Sequence, residues 1–518
     1  MQLLKNFSAF LITTLLLISL TAPALAAEPV GTITMKNSAG AIKTDSTYEA
    51  YRIVGWNAST VEGNVLYTDM ALTPAYKEAI ILALGNPLTV TSTDQEVLKA
   101  LSTVKDSSKL AGLAVALSEV KGQLPLNATA GIFRNLSYGY YLVMETKNNA
   151  NDGTVLSKPI LVSLPDKTTN SPDVSVMVKT STANVDKEIV LGNHTVKAAE
   201  KKIGDTVDFK LTATIPTYAT NATGITYCLT DTLSKGLTLN DKSIVVKDSK
   251  GAIIADKNNY TVGIDRTAAN KNTVLTINFT YDNIKTLGPL TVEYSAILNE
   301  NSVIGSSGNP NSVNLTYTNN PGAGSNYTTT EKHTLIYTTG LELLKVGSNS
   351  QKLAGAEFGI YSNKECSIPV GFYTYELVTD GNGTHVTTKL IDGKGLKIVT
   401  GDDGIAYFTG LIAGKYYIKE IKAPIGYDLL KTPICVTIGV TLPQTIENGR
   451  EQAAWTIVAD YGSFDNRGGI FYGNVVNTKG FQLPGSGGSG TILFTVGGLS
   501  LLTLAGALYF LYHKKKRV

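Results

Sequence analysis

Two groups of residues have types and spacing that permit covalent chemistry without a cofactor. Side chains alternate faces along a strand, so Leu341, Leu343 and Lys345 share a face, and the leucines mark it as buried. Tyr416, Ile418 and Glu420 repeat the pattern, and Val475 with Asn477 gives it a third time. A lone buried amine or carboxylate is costly and tends to lose its charge. One reading is a buried salt bridge from Lys345 to Glu420, with Asn477 as a hydrogen-bonding neighbour. The other is an intramolecular isopeptide bond. Burial lowers the lysine pKa and raises that of the carboxyl group. A neutral amine then attacks the asparagine carboxamide, while the protonated carboxyl polarises the carbonyl and shuttles protons as ammonia leaves.

The middle of the chain repeats the arrangement. Val185, Lys187 and Ile189 share one face, Leu229, Asp231 and Leu233 another, and Asn311, Val313, Leu315 and Tyr317 a third. A buried Lys187–Asp231 ion pair is the plain alternative. Asn314 is a rival acceptor, but strand parity turns it outward. Near the start, Ile33 and Met35 face inward and Lys36 outward. Glu145 has no paired lysine in this reading, so no isopeptide bond is expected there. Val174, Val176 and Val178 define a buried face that turns Lys179 to solvent, either as an ordinary surface lysine or as an amine held ready. The histidines (His194, His333, His385, His513) lack metal spacing, and no nucleotide or hydrolase motif occurs. No metal and no cofactor are expected.

These residues need strands to hold them. Val207, Phe209, Leu211, Ala213 and Ile215 alternate with polar residues, as do Leu275, Ile277 and Phe279, which is the period of half-buried antiparallel strands. The expected fold is mainly β, a tandem of Ig-like sandwiches. Ser92 to Gln95 reads as a helix capping box, and Val97, Leu98, Leu101 and Val104 follow at helical spacing, so the first sandwich carries inserted helices. The chain has 518 residues, with Lys plus Arg at 45 and Asp plus Glu at 42, a balance that gives nucleic acid no basic stripe to bind. Lys5, the apolar stretch Phe7–Leu20 and Ala24-Leu25-Ala26 read as a secretory signal over 1–26. The expected modules are 27–172, 173–320 and 334–480, with a linker at 321–333 and a terminal segment at 481–518. Of three cysteines, Cys366 and Cys435 fall in the last module as a possible disulfide, leaving Cys228 over.

The terminal segment reads Leu483-Pro484-Gly485-Ser486-Gly487, a Gly/Ser spacer, an uncharged run from Thr491 to Tyr512, and the basic tail His513-Lys514-Lys515-Lys516-Arg517-Val518. That run is long enough for a bilayer core of ~30 Å. The order resembles the cell-wall sorting signal of Gram-positive surface proteins, with Ser486 where the family usually has threonine. The resemblance implies that a sortase cleaves after Ser486 and passes the carboxyl group to an amine. Gly340–Val346, Leu353–Phe358, Tyr416–Tyr427 and Val475–Asn477 resemble the collagen-adhesin (Cna) B-type domain that closes sortase-assembled pilins, the Glu420 segment being its E-box. Tyr141–Glu145 is also E-box-like. Val185–Ile189, Gly204–Val207, Asp231–Leu237 and Asn311–Tyr317 resemble the middle domain of backbone pilins, which implies a Lys187–Asn311 bond with Asp231 as acidic partner. Val176–Thr180 lies where such proteins carry a pilin motif, implying Lys179 as the polymerising amine, although Met177, Val178 and Thr180 replace the usual residues.

The family implied is the major, shaft-forming pilin: a structural subunit, a substrate of sortase, and not an enzyme beyond its own bond formation. Its expected location is the cell wall and pilus surface, after transient membrane attachment. Its expected partners are a pilin-type and a housekeeping sortase, further copies of itself, ancillary pilins, peptidoglycan and an unidentified adhesion ligand, with no nucleic acid. An ancillary pilin or a monomeric wall-anchored adhesin is the alternative.

Overall fold

The structure, a computed structural model, describes residues 29–61, 64–120, 124–380, 383–391, 397–480 and 489–515. The signal segment 1–26 and the motif Leu483–Gly487 lie outside these residues. The described chain is mainly β, folded as successive two-layer sandwiches.

In the first module, the strand Val30–Lys36 runs antiparallel to Ile132–Ser137 and parallel to Asp173–Met177. Against it lies a sheet of Asn64–Leu72, Ser46–Val61, Gly139–Asn148 and Ile160–Leu164. Ile33, Met35, Tyr48, Tyr141 and Val143 fill the space between the layers. Because Asp173–Met177 is hydrogen-bonded into this sheet, the expected division after residue 172 cuts through the module, whose last inward residue is Val178. Helices Lys77–Leu84, Asp94–Thr103 and Ser107–Ser118 are inserted between strands. The capping box sits one residue later than the sequence pattern indicates. The Thr93 hydroxyl accepts from the Glu96 amide at 3.3 Å, while Ser92 turns back to accept from the Thr89 amide at 3.0 Å.

The second module pairs the strands Val185–Leu191, Thr206–Ala213 and Leu290–Leu298 in one sheet. The facing sheet carries Thr273–Phe279, Tyr227–Leu233 and Gly305–Asn320. Phe209, Leu211, Leu229, Leu275 and Val313 are buried between them, following the alternation. The segment expected as a linker, 321–333, is instead ordered structure. Asn320 accepts from the Ala323 amide, Gly324 takes φ 63° in the left-handed region, and Ser325–Thr328 folds back onto Gly305–Asn320. Tyr327 then packs edge-on against Tyr317 at 5.8 Å.

The strand Lys332–Gly347 joins two modules. Its first half pairs with Gly305–Asn320, and its second half pairs with Ile405–Leu411 and, in parallel, with Ile470–Asn477. The facing sheet of the third module contains Glu357–Tyr361, Gly414–Lys422, Ile434–Thr441 and Ala454–Ala459. The possible Cys366–Cys435 disulfide is not formed, since all three cysteines are free thiols. Ile434 and Val436 point inward, so Cys435 faces out between them, while Cys366 sits in a turn with its thiol directed at the Lys364 carbonyl. The terminal helix Ser489–Lys515 contains Leu493–Lys515, long and apolar enough to cross a membrane.

Candidate functional site

In the third module, Lys345, Glu420 and Asn477 meet in the core at 0%, 1% and 2% exposure. Lys345 and Asn477 come from adjacent parallel strands of one sheet, and Glu420 reaches across from the other. The Lys345 amine donates to Asn477 Oδ1 and lies 3.2 Å from Glu420 Oε1. Asn477 Nδ2 donates to Glu420 Oε1 at 2.9 Å and Oε2 at 3.1 Å. The carboxyl is steadied by the Leu430 amide, which donates to Oε2 at 2.7 Å. Phe358 covers the amine at 5.7 Å. Burial pulls the Lys345 pKa down, against the opposing pull of Glu420. All the groups of the proposed displacement are in contact: amine on carbonyl oxygen, carboxyl on the departing NH₂.

The second module assembles the same three residue types differently. Lys187 stands on one sheet, while Asp231 and Asn311 stand on neighbouring strands of the other. Lys187 and Asn311 are fully buried and Asp231 is 1% exposed. The amine donates to Asp231 Oδ2 and, at 2.7 Å, to the Tyr294 hydroxyl. Tyr294 donates to Asp231 at 3.0 Å and accepts from Asn311 Nδ2 at 2.8 Å. The phenol thus links amine, carboxyl and carboxamide. Burial brings the Lys187 pKa down to about 8, although Asp231 opposes it, and burial raises the Asp231 pKa, although Lys187 opposes that. Phe209 and Tyr294 flank the amine at 5.0 and 5.2 Å. Asn314 lies half-buried on the opposite face of its strand.

Tyr294 is a member of this centre that the Lys/Asp/Asn pattern does not include. The alternation Leu290, Val292, Tyr294, Ala296, Leu298 turns it inward, a signal available in the sequence. Contrary to the sequence expectation, Glu145 does have a lysine partner in the first module: Lys43 is buried, its amine 3.6 Å from Glu145 Oε1.

Profiles of three families match the chain: the Gram-positive pilin backbone subunit 2, Cna-B-like domain over residues 203–321; a prealbumin-like fold domain over 339–450; and the LPXTG cell wall anchor motif over 475–517. The trypsin-resistant surface T6 protein of Streptococcus pyogenes is 26% identical over 406 residues, covering 65% of this chain and 70% of that protein. The chain carries pilin-backbone, prealbumin-like and cell-wall-anchor domains and is homologous to a Gram-positive backbone pilin. The solved structure of the T6 backbone pilin of serotype M6 S. pyogenes, described as modular and three-domain, superposes with a TM-score of 0.51 at 20% identity, over 88% of this chain and all of that chain. The pilin-backbone and anchor matches, with the T6 relative, make it a structural subunit of a sortase-assembled, cell-wall-anchored pilus. Its Lys179 is exposed, one residue past the last core contact of the first module. It lines a cleft of about 360 Å³ between the first two modules, with Leu110, Ala114, Leu156, Pro159 and Thr217.

Proposed function

We propose that this pilin welds itself during folding through two intramolecular isopeptide bonds, Lys187–Asn311 and Lys345–Asn477, and is then polymerised through Lys179. The observation that carries this reading is the Lys345–Glu420–Asn477 contact, in which a buried amine, an acid and a carboxamide are brought into mutual hydrogen-bonding reach. In each bond the lysine Nζ–Cγ linkage forms as the Cγ–Nδ2 linkage breaks. The carboxyl passes a proton to the leaving amine and recovers one from the lysine nitrogen. In the proposed assembly, a pilin sortase cleaves after Ser486 and joins the new carboxyl group to Lys179 of another copy. A housekeeping sortase finally transfers the fibre to peptidoglycan, with ancillary pilins joined to the same shaft. The exposure of Lys179 and its position beside an intermodule cleft support that role.

Intact-mass spectrometry of the soluble ectodomain tests the bonds: two releases of ammonia leave the chain about 34 Da light, and full mass rejects both. Wall extracts test polymerisation. Lys179→Ala abolishes the high-mass ladder if that amine is the acceptor; an unchanged ladder excludes it, and no ladder in the wild type returns the chain to an ancillary or monomeric role.

A further inference from the structure

The first module aligns with the third through its hydrogen bonds. Met35 N–H donates to the Gly131 carbonyl at 2.8 Å, as Lys345 N–H donates to the Gly404 carbonyl at 2.7 Å. Lys43 N–H returns to the Met35 carbonyl as Leu353 N–H returns to that of Lys345, both at 2.9 Å. Tyr48 opposes Glu145 just after a bulge, as Phe358 opposes Glu420 just after one. The Ser157 amide donates to Glu145 Oε2 as the Leu430 amide donates to Glu420 Oε2, both at 2.7 Å. Val176 lies parallel to Met35 as Val475 lies parallel to Lys345. Two residues further along these strands come Val178 and Asn477. In this frame Met35 occupies the place of the lysine, Val178 that of the asparagine, and Glu145 that of the catalytic glutamate. Met35 is fully buried and Val178 is 3% exposed, close to their counterparts.

We infer that the first module holds a third bond-forming centre that has lost its nucleophile and its acceptor but kept its carboxyl group. A carboxylate left alone in such a core would be strongly destabilising. Lys43, at the place of Leu353, supplies the counter-charge, its amine also donating to Asp45 at 2.8 Å and to Ser46 at 2.7 Å. The acid and its steadying backbone amide are therefore still in position, and two substitutions restore the missing groups. In the restored centre, the new Nζ–Cγ bond forms as the Cγ–Nδ2 bond breaks, one ammonia leaves, and Glu145 carries the proton between the two nitrogens.

The inference rests on the Lys345–Asn477 reading, and one experiment separates the two. The ectodomain carrying Met35→Lys and Val178→Asn is digested, and linked peptides are mapped by mass. The expected result is a new link between positions 35 and 178, lighter by about 17 Da than the unlinked pair, and lost again when Glu145→Ala is added. Linkage of Lys345 to Asn477 without linkage of 35 to 178 overturns the inference; absence of both overturns the earlier reading instead. A second variant adds Lys43→Leu, matching the third module at that position and removing the competing cation. If neither variant folds, stretching the wild-type ectodomain between its termini decides: a bond-free first module releases about 500 Å of chain at roughly 3.4 Å per residue, and a first module that fails to extend overturns the inference.

Discussion

Around Lys187 the amine is sealed by two aromatic rings and shares Tyr294 with both its acid and its acceptor. Asp231 can take the proton directly, so Asp231→Ala should stop ammonia loss in the second module altogether. Tyr294→Phe keeps the ring and the Lys187–Asp231 contact but removes the relay to Asn311, so bond formation should slow by about a hundredfold, within the range of general acid–base effects. A mass time course after cell-free synthesis reads both, and a Tyr294→Phe chain that cyclises at the wild-type rate removes the phenol from the mechanism. The depressed lysine pKa also has a pH signature. The folded value is about 8 and the ordinary value is 10.5, so between them the unfolded chain binds more protons than the folded one, and stability rises with pH across that window. In Asn311→Ala, where the amine stays free, denaturant melts should gain on the order of 3 kcal/mol from pH 8 to 10.5. In the wild type, if the proposed bond has converted the amine to an amide, this gain should be missing; equal pH dependence in both proteins contradicts the bond.

The strands decide which parts each bond ties together. In the third module the proposed bond would join two adjacent strands of one sheet, the opening and closing strands, with the acid supplied from across the core. In the second it would join the two sheets. Either closes a loop of more than a hundred residues, which by the chain-entropy account of cross-links contributes about 4–5 kcal/mol by restricting the unfolded state. Asn477→Ala should therefore lower the unfolding free energy of the third module by about that amount in guanidinium titration, and a loss below about 1 kcal/mol would mean that no cross-link was removed. This also shows how far strand periodicity reaches. Alternation along Gly305–Asn320 was enough to turn Asn311 inward and Asn314 outward, and alternation around Lys345, Glu420 and Asn477 placed all three in the core. It does not say which strands become neighbours, so the cross-sheet geometry of the second centre and the reach of Tyr294 were not legible. Nor does it register Lys43, which enters the core from a loop rather than from an alternating strand. The presumed linker failed for a related reason: Gly and Asn in Pro321–Asn326 signal a turn, and only tertiary pairing shows that the turn closes a hairpin.

At the scale of the molecule, the positions of the bonds and of Lys179 define where tension runs. If one neighbour is attached at Lys179 and the other through Ser486, load enters just before the strand Val185–Leu191 and leaves just after Ile470–Asn477. Between these points it meets Lys187, crosses to Asn311, continues through the shared strand Lys332–Gly347 to Lys345, and crosses to Asn477. The first module lies wholly before Lys179 and carries none of this load, which fits its placing buried Met35 and Val178 where the other modules place lysine and asparagine. The geometry of pulling should then decide the response. Held between Lys179 and the segment after Asn477, a single ectodomain should reach high force with almost no gain in length if the proposed bonds close both loops. Held between its N-terminus and the same segment, it should lengthen by the first module alone. Asn311→Ala should add one extension step in each geometry, the first when held from Lys179 and the second when held from the N-terminus. If the wild type unravels equally in both, tension is not routed through the two lysines, and the separation of roles among the modules is wrong.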